Sequence, residues 1–272
     1  MKYGFQLAHE YEPSIVPTRD AVIEVKYDGT MALCENGRLY NRRGVDISDR
    51  FPEITPPMDS VLVGEICIFM AGLSDFNLIL RRTASRSVNS LLGKATPATF
   101  LVFDILEHEG RDLTSLPLRA RLRILDGLNL GDRLKRVQHY PIEDLELVAA
   151  KARDLNEEGL ILKRLDRPYV AAKKGSDKRP DHWVKLKFWE TRAFEIERNE
   201  LTPNRGFNLI IRNRGREQEV VCNDVGMQQR VLRGEARWVV VRYLEEGDEG
   251  ALRQPHVRDV YANEPKDWGN GR

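Results

Sequence analysis

Residues 21–29 read Ala21-Val22-Ile23-Glu24-Val25-Lys26-Tyr27-Asp28-Gly29. A β-branched, apolar run leads into an Asp-Gly turn, the pattern of a strand that ends in a hairpin. The run closes on a lysine. Burial and neighbouring cations both favour the neutral amine, the nucleophilic form of that side chain. Lys-Tyr-Asp-Gly also serves as a plain turn, so on these residues alone both readings stand.

Working outward, Asn36-Gly37 separates Met31–Cys34 from Arg38–Tyr40 and predicts a type I′ hairpin. Tyr40-Asn41-Arg42-Arg43-Gly44 follows, then Arg50-Phe51-Pro52-Glu53. The arginine pair is either a fork for phosphate or the solvated edge of a strand. Val63-Gly64-Glu65-Ile66 places a carboxylate inside an apolar run. Glu65 is expensive to bury unless paired or metal-bound, or it alternates out to solvent. Phe103, in Phe100-Leu101-Val102-Phe103-Asp104-Ile105, is a core residue or a stacking platform. Glu157-Glu158-Gly159-Leu160-Ile161-Leu162-Lys163 enters a strand behind two acids. Lys173, Lys174, Lys178, Arg179, Lys185 and Lys187 crowd the stretch that follows. Lys185 and Lys187 share one face of a strand and invite a phosphate, though a charge run is also a solvated surface.

Strand patterns recur at Ala21–Val25, Val61–Phe69, Phe100–Leu106, Leu160–Lys163 and Trp183–Phe188. Helical periodicity follows Pro117, with Leu118, Leu122 and Leu125 on one face, and returns over Asp144–Leu155. Mixed elements without regular βαβ alternation indicate an α+β class. From Thr191 onward almost every candidate is a short strand, which suits a small five-stranded barrel and puts a boundary at about 190. The chain has 272 residues, with 43 Lys+Arg against 42 Asp+Glu and a net charge of +1. That balance excludes a globally basic DNA-coating protein but leaves room for local sorting of charge. No apolar run approaches the ~18 residues of a membrane span, and the N-terminal stretch lacks the apolar core of a secretory signal. Cys34, Cys67 and Cys222 are isolated and read as small buried hydrophobes.

Taken in series, these segments resemble the ordered motifs of the ATP-dependent DNA ligases, within the covalent nucleotidyltransferase superfamily. The resemblance covers essentially the whole chain. It implies a nucleotidyltransferase (ATP-grasp-like) adenylation domain over residues 1–190, followed by an all-β OB-fold barrel over 191–272. It makes Lys26 the nucleophile that forms lysyl-AMP from ATP. Glu24 and Phe103 match contacts to the adenine, Arg42 a contact near the nucleotide and nick phosphates, and Glu65 an acid at the ribose or metal. Glu158 matches the acid at the catalytic Mg²⁺, for which Mn²⁺ is the alternative; Arg179, Lys185 and Lys187 match cations at the nucleotide phosphates. The implied substrate is nicked duplex DNA. The implied setting is a monomer without membrane contact, in the cytoplasm, of bacterial or viral origin, serving replication, repair or recombination. The early position of Lys26 implies a minimal ligase without a separate N-terminal DNA-binding domain.

Two departures stand out. Met31 occupies the place, five residues after the lysine, where the family usually has an arginine. The last motif lacks its lysine: Leu252-Arg253-Gln254-Pro255 matches the approach, Val257-Arg258-Asp259-Val260 does not complete it, and Lys266 is the candidate substitute. An RNA ligase, a capping guanylyltransferase and a catalytically idle nucleic-acid-binding homologue remain the rival readings.

Overall fold

The computed structural model describes residues 1–70, 72–84, 96–172, 179–202, 206–247 and 249–265. The chain divides into two compact units, Met1–Lys187 and Phe188–Arg272. The strands of the first unit are β1 (His9–Glu10), β2 (Ala21–Lys26), β3 (Thr30–Glu35), β4 (Arg38–Asn41), β5 (Ser60–Met70), β6 (Leu73–Ser74), β7 (Ala98–His108), β8 (Arg111–Asp112), β9 (Leu134–Arg136), β10 (Tyr140–Pro141), β11 (Gly159–Arg164) and β12 (Trp183–Lys187). Its helices are α1 (Phe76–Ala84), α2 (Leu118–Asp126) and α3 (Leu145–Asp154).

Two sheets result. One runs β1-β12-β11-β2-β10; the other runs β4-β3-β5-β7-β8, with β6 on β5 and β9 on β7. Strand alternation divides the labour of the first sheet. Ile23, Leu160, Leu162 and Val184 are fully buried, and α3 packs on β2 and β11 with Val148, Ala149 and Ala152 inward. The opposite face carries Glu24, Lys26, Lys163, Lys185 and Lys187, because Lys26 pairs with Gly159, Glu24 with Ile161 and Lys163 with Val22, while Lys187 and Lys185 pair with the same Gly159 and Ile161.

In the second sheet β5 and β7 are buried almost throughout, as central strands covered on both faces are. One face packs on α1 and α2 through Phe51, Leu62, Phe100, Ile79, Leu118 and Leu122. On the other, Leu33, Val61, Val63 and Leu106 join Tyr3, Phe5, Tyr169 and Trp183, with Met31, Phe103 and Ile161 partly buried among them. The Asn36-Gly37 turn takes positive φ at both residues, 51° and 72°, and joins β3 to β4 as a type I′ hairpin.

Two arginines close this unit from within. Arg82 is almost wholly buried and donates to Glu53 at 2.7 and 2.9 Å and to the carbonyls of Arg50 and Thr96; Glu53 also accepts from the Ala98 N–H at 2.7 Å. The Arg50–Glu53 segment is thus a clamp between α1 and the sheet. Arg121, fully buried on α2, grips the equally buried Asp104 with two 2.8 Å hydrogen bonds.

The second unit is a curled five-stranded sheet ordered β15-β14-β13-β16-β19, comprising β13 (Glu190–Thr202), β14 (Gly206–Asn213), β15 (Arg216–Val221), β16 (Trp238–Tyr243) and β19 (His256–Tyr261), plus the ribbon β17 (Glu245–Glu246) and β18 (Leu252–Arg253). A register shift between Ile196 and Arg198 lets β13 pair with β16 along its first half and with β14 along its second, the bend expected of a bulge. Phe194, Leu209, Ile211, Val220, Val239, Val241 and Tyr243 fill the inside. One element departs from the sequence expectation. Helix α4 (Val225–Leu232) interrupts the strands, capped by Asp224, which accepts from the Met227 N–H at 2.8 Å. The fifth strand is β19, which holds the incomplete last motif; its Asp259 binds Arg230 of α4 at 3.2 Å. All three cysteines are buried and free. Among the described residues no helix is long and apolar enough to cross a membrane.

Removing one partner of a buried ion pair strands the other charge. Arg121→Ala is therefore expected to destabilise the fold by about 3–5 kcal/mol, read from urea or thermal melts, whereas breaking the exposed Arg38–Asp46 pair is expected to leave the melt almost unchanged.

Candidate active site

Register builds the site. Gly159 stands between Lys26 and Lys187 on the neighbouring strands. A Cβ at Gly159 would lie 2.1 Å from the Leu186 carbonyl oxygen, so only glycine fits there. Glu158, immediately before it, extends its carboxylate to both lysines: one oxygen contacts the Lys26 ammonium and the other lies 3.1 Å from Lys187 Nζ. The Glu158 side chain is only 5% exposed and that of Lys26 23%, so the amine is the more open end of the pair. Burial opposes charge on Glu158, but the Lys26 and Lys187 ammoniums outweigh it and hold the carboxyl below its usual range.

The turn after Lys26 is pinned against β5. A Cβ on Gly29 would come within 2.4 Å of the Ile66 carbonyl and 2.9 Å of Glu65. Ser74 accepts from the Asp28 N–H at 3.4 Å and donates to Glu157 at 3.0 Å, tying the turn to the start of β11. Glu65 is only partly exposed on β5, and its cross-strand neighbour is Met31. Burial raises its carboxyl to about 8, opposed by the charge of Lys26, reinforced by Glu158 and Asp28, and opposed again by Arg42. Met31 stands directly across from this acid on β3, and the cations that act on it are Lys26 and Arg42. Arg42 itself is exposed.

Further along the same face, Glu24 is buried between two donors: Lys163 Nζ at 2.7 Å and His139 Nε2 at 2.8 Å. Burial raises the Glu24 carboxyl, and Lys163 and His139 more than reverse this, holding it below the usual range. The Lys163 ammonium sits 4.1 Å from the centre of the Phe103 ring and 4.2 Å from that of Trp183, and the two rings meet edge to face at 5.6 Å. Phe103 is only partly buried and lies at a register shift where β7 bulges against β5. Lys185 is engaged by Glu10 of β1 at 2.6 Å, and Arg179 donates to the Ala8 carbonyl at 3.3 Å.

The sheet face thus brings together Lys26, Glu158 and Lys187, with Glu65 across from them, and separately Glu24 with Phe103. Arg42 is exposed but near enough for its charge to act on Glu65, and Arg179 lies near Glu10 and Lys185. Sequence reading missed Lys163, His139 and Glu10. Lys163 had a signal, since it lies two residues after Ile161 in alternation with the site face; His139 and Glu10 carried none. Lys173, Lys174, Lys178 and Lys266 lie outside the described residues. In the last motif, Arg253 lies 3.5 Å from Glu245 and Arg258 is exposed on β19.

Among the described residues no three His, Cys, Asp or Glu side chains converge on a metal position. Mg²⁺ needs no such cage: one or two carboxylates and substrate phosphates suffice. The pair Glu65 and Glu158 offers the all-oxygen donors that ion prefers, and each acts on the other's charge.

Because Glu65 binds its proton more tightly in the folded chain than in the unfolded one, its contribution to stability falls as pH rises from about 4.5 to about 8. Glu65→Gln is expected to stabilise the protein at pH 8 relative to wild type and to flatten the pH dependence. Urea melts at pH 5 and pH 8 check this; equal shifts at both pH values would contradict it.

A family model described as the ATP dependent DNA ligase domain matches residues 6–187. A probable DNA ligase of Koribacter versatilis is 26% identical over 224 residues, covering 68% of this chain and 38% of that protein. A probable DNA ligase of Beutenbergia cavernae is 33% identical over 180 residues, covering 61% of this chain and 33% of that protein. The chain thus spans 33–38% of the length of these curated relatives. A solved structure from work on Lig E DNA ligases, described as DNA binding with a minimal scaffold, superimposes with a TM-score of 0.71 at 17% identity, covering 96% of this chain and 100% of that one. The fold is accordingly a nucleotidyltransferase adenylation domain followed by an OB-fold barrel. With the family model spanning most of its length, the chain belongs to the ATP-dependent DNA ligases.

Proposed function

We propose that this chain seals nicks in duplex DNA, using ATP, through a lysyl-AMP intermediate on Lys26. The observation that carries this reading is the Lys26–Glu158–Lys187 bridge, a partly open amine held against a buried carboxylate and a second cation. In the first step Lys26 Nζ attacks the α-phosphorus of ATP. A P–N bond forms, the bond to the β-phosphate oxygen breaks, pyrophosphate leaves and Nζ gives up a proton. Glu158, in contact with that nitrogen, orients it and is placed to receive the proton. Lys187 neutralises charge on the phosphate, and Lys185 joins it once Glu10 releases it. In the second step a 5′-phosphate oxygen attacks the lysyl-AMP phosphorus and the P–N bond breaks. In the third the 3′-hydroxyl attacks the 5′-phosphorus and AMP departs. A Mg²⁺ ion, or Mn²⁺, held by Glu65 and Glu158 would supply further charge neutralisation. The nucleoside lies toward Glu24 and Phe103, with Arg42 toward the nick. Residues up to about 190 form the adenylating domain and the remainder the DNA-binding barrel. The chain acts as a monomer in the cytoplasm of a bacterium or of a phage-infected cell.

Incubation with radiolabelled ATP and Mg²⁺ should leave label on the denatured wild-type protein. Lys26→Ala should abolish the label yet retain part of the sealing of a pre-adenylated nick, which needs no lysine nucleophile. Label on Lys26→Ala would remove the lysine from this role. Nicked DNA and nicked RNA, compared side by side, separate this reading from an RNA ligase.

Phe103→Ala should raise the KM for ATP by a factor corresponding to about 1–3 kcal/mol of stacking. A drop of about 3–5 kcal/mol in stability with unchanged ATP dependence would instead make Phe103 a core residue.

A further inference from the structure

The segment from β9 to β10 crosses between the two sheets. Its first end runs parallel to β7, where Arg136 pairs with Val102, and its second joins β2, where Tyr140 pairs with Ile23. Val137 is buried and its N–H donates to the Val102 carbonyl at 2.9 Å. His139 lies between these anchors with its side chain only 11% exposed. One ring nitrogen, Nε2, is 2.8 Å from Glu24 Oε1; the other, Nδ1, is 2.9 Å from Arg136 Nη2.

These partners fix the roles of both nitrogens. A guanidinium can only donate, so Nδ1 accepts from Arg136 and the Nε2–H donates to Glu24. Arg136 is in turn held by an ion pair with Asp126 at the end of α2. Lys163 takes the other carboxylate oxygen of Glu24 at 2.7 Å. The carboxylate plane is therefore locked from both sides, and each oxygen keeps lone-pair capacity for a further donor. Through Lys163 this acid is joined to Phe103, whose ring centre lies 4.1 Å from the ammonium. A fixed acceptor beside a partly buried aromatic ring matches a heteroaromatic base that bears an amino group.

We infer that His139, held by Arg136, is the positioning residue that sets base selectivity by orienting Glu24 toward the exocyclic amine of the nucleotide base. Without His139 the carboxylate is free to turn toward Lys163 and loses its fixed aim. The inference rests on the nucleotide reading proposed above and adds to it a residue that lies outside the motif series. A base with a carbonyl at that position would set acceptor against acceptor, and one with no group there would leave Glu24 unsatisfied; buried polar sites reject such analogues strongly.

The test compares equilibrium binding of ATP with that of purine riboside triphosphate, which lacks the 6-amino group. Calorimetry without divalent metal avoids turnover. Wild type should prefer ATP. His139→Ala should narrow that preference about tenfold, the value of one hydrogen bond to a charged group. The loss should fall on ATP, with binding of the analogue unchanged. His139→Gln, whose side-chain amide can still donate to Glu24, should restore most of it. In self-adenylation assays the same variants should change KM for ATP and leave kcat within about twofold, as expected for lost ground-state binding. Thermal melts accompany each variant. An undiminished preference in His139→Ala overturns the inference, as does equal weakening for both nucleotides or failure of a well-folded His139→Gln to rescue. Absence of base preference in wild type overturns it as well. Preference without any covalent label would instead overturn the ligase reading and leave His139 in its role.

Discussion

Everything in the site hangs on the register that sets Gly159 between Lys26 and Lys187. Side chains alternate along a strand, so this pairing decides which of them look into the space between the sheets. A slip by one residue would turn Glu24, Lys26 and Lys163 into the layer covered by α3 and would expose Ile23, Leu160 and Leu162. The hydrophobic contrast between the two faces therefore protects the register, and the register in turn assembles the charges. Gly159 adds a steric condition, because any larger residue would push β12 away through the Leu186 carbonyl. Packing that has nothing to do with chemistry thus holds an amine, a carboxylate and a second amine within contact.

Local patterns in the chain announce much of this. The β2 and β11 alternation, the Asn36-Gly37 hairpin and the leucine stripe of α2 each follow from period and turn chemistry, and each appears where those rules put it. Elements with a weak period do not announce themselves. Helix α4 turns inward mainly Met227 and Val231 and has Gly226 in its first turn. Helix α1 is hidden by Arg82, a charged residue at an inward position whose partner, Glu53, lies far away in sequence. At the site, strand-borne residues were readable because motif and alternation agree. Glu10 and His139 were not: each is brought in by a pairing with a distant strand, β12 for one and β7 and β2 for the other. Such positions are products of topology, and no local pattern encodes them.

The buried polar groups of the first unit divide by what surrounds them. Asp104 and Arg121 are fully buried against each other, with Arg121 also donating to the Leu116 and Arg167 carbonyls; they lock α2 onto β7. Glu53 and Arg82, with the Arg50 and Thr96 carbonyls and the Ala98 N–H, do the same for α1. Glu24 is equally buried but is joined through Lys163 to the partly open Phe103 ring, and Glu65, across from Met31, forms no ion pair among the described residues. The contrast separates ion pairs that hold the fold from charges that keep capacity for something else, and it does so by the completeness of their pairing.

The Glu10–Lys185 contact carries one more consequence. With Glu158 spanning Lys26 and Lys187, and Glu10 on Lys185, two carboxylates of the same chain already engage the three lysines of the resting face. Those carboxylates act as intramolecular decoys. An incoming ligand with a single phosphate must break one such pair to make another and gains little. A ligand with several linked phosphates displaces Glu10 and shares Lys187 with Glu158 in one event, so only it profits from the whole set. Competition of this kind favours ligands by the number of linked charges they bring, because the cations of the face stay occupied until a multiply charged competitor arrives.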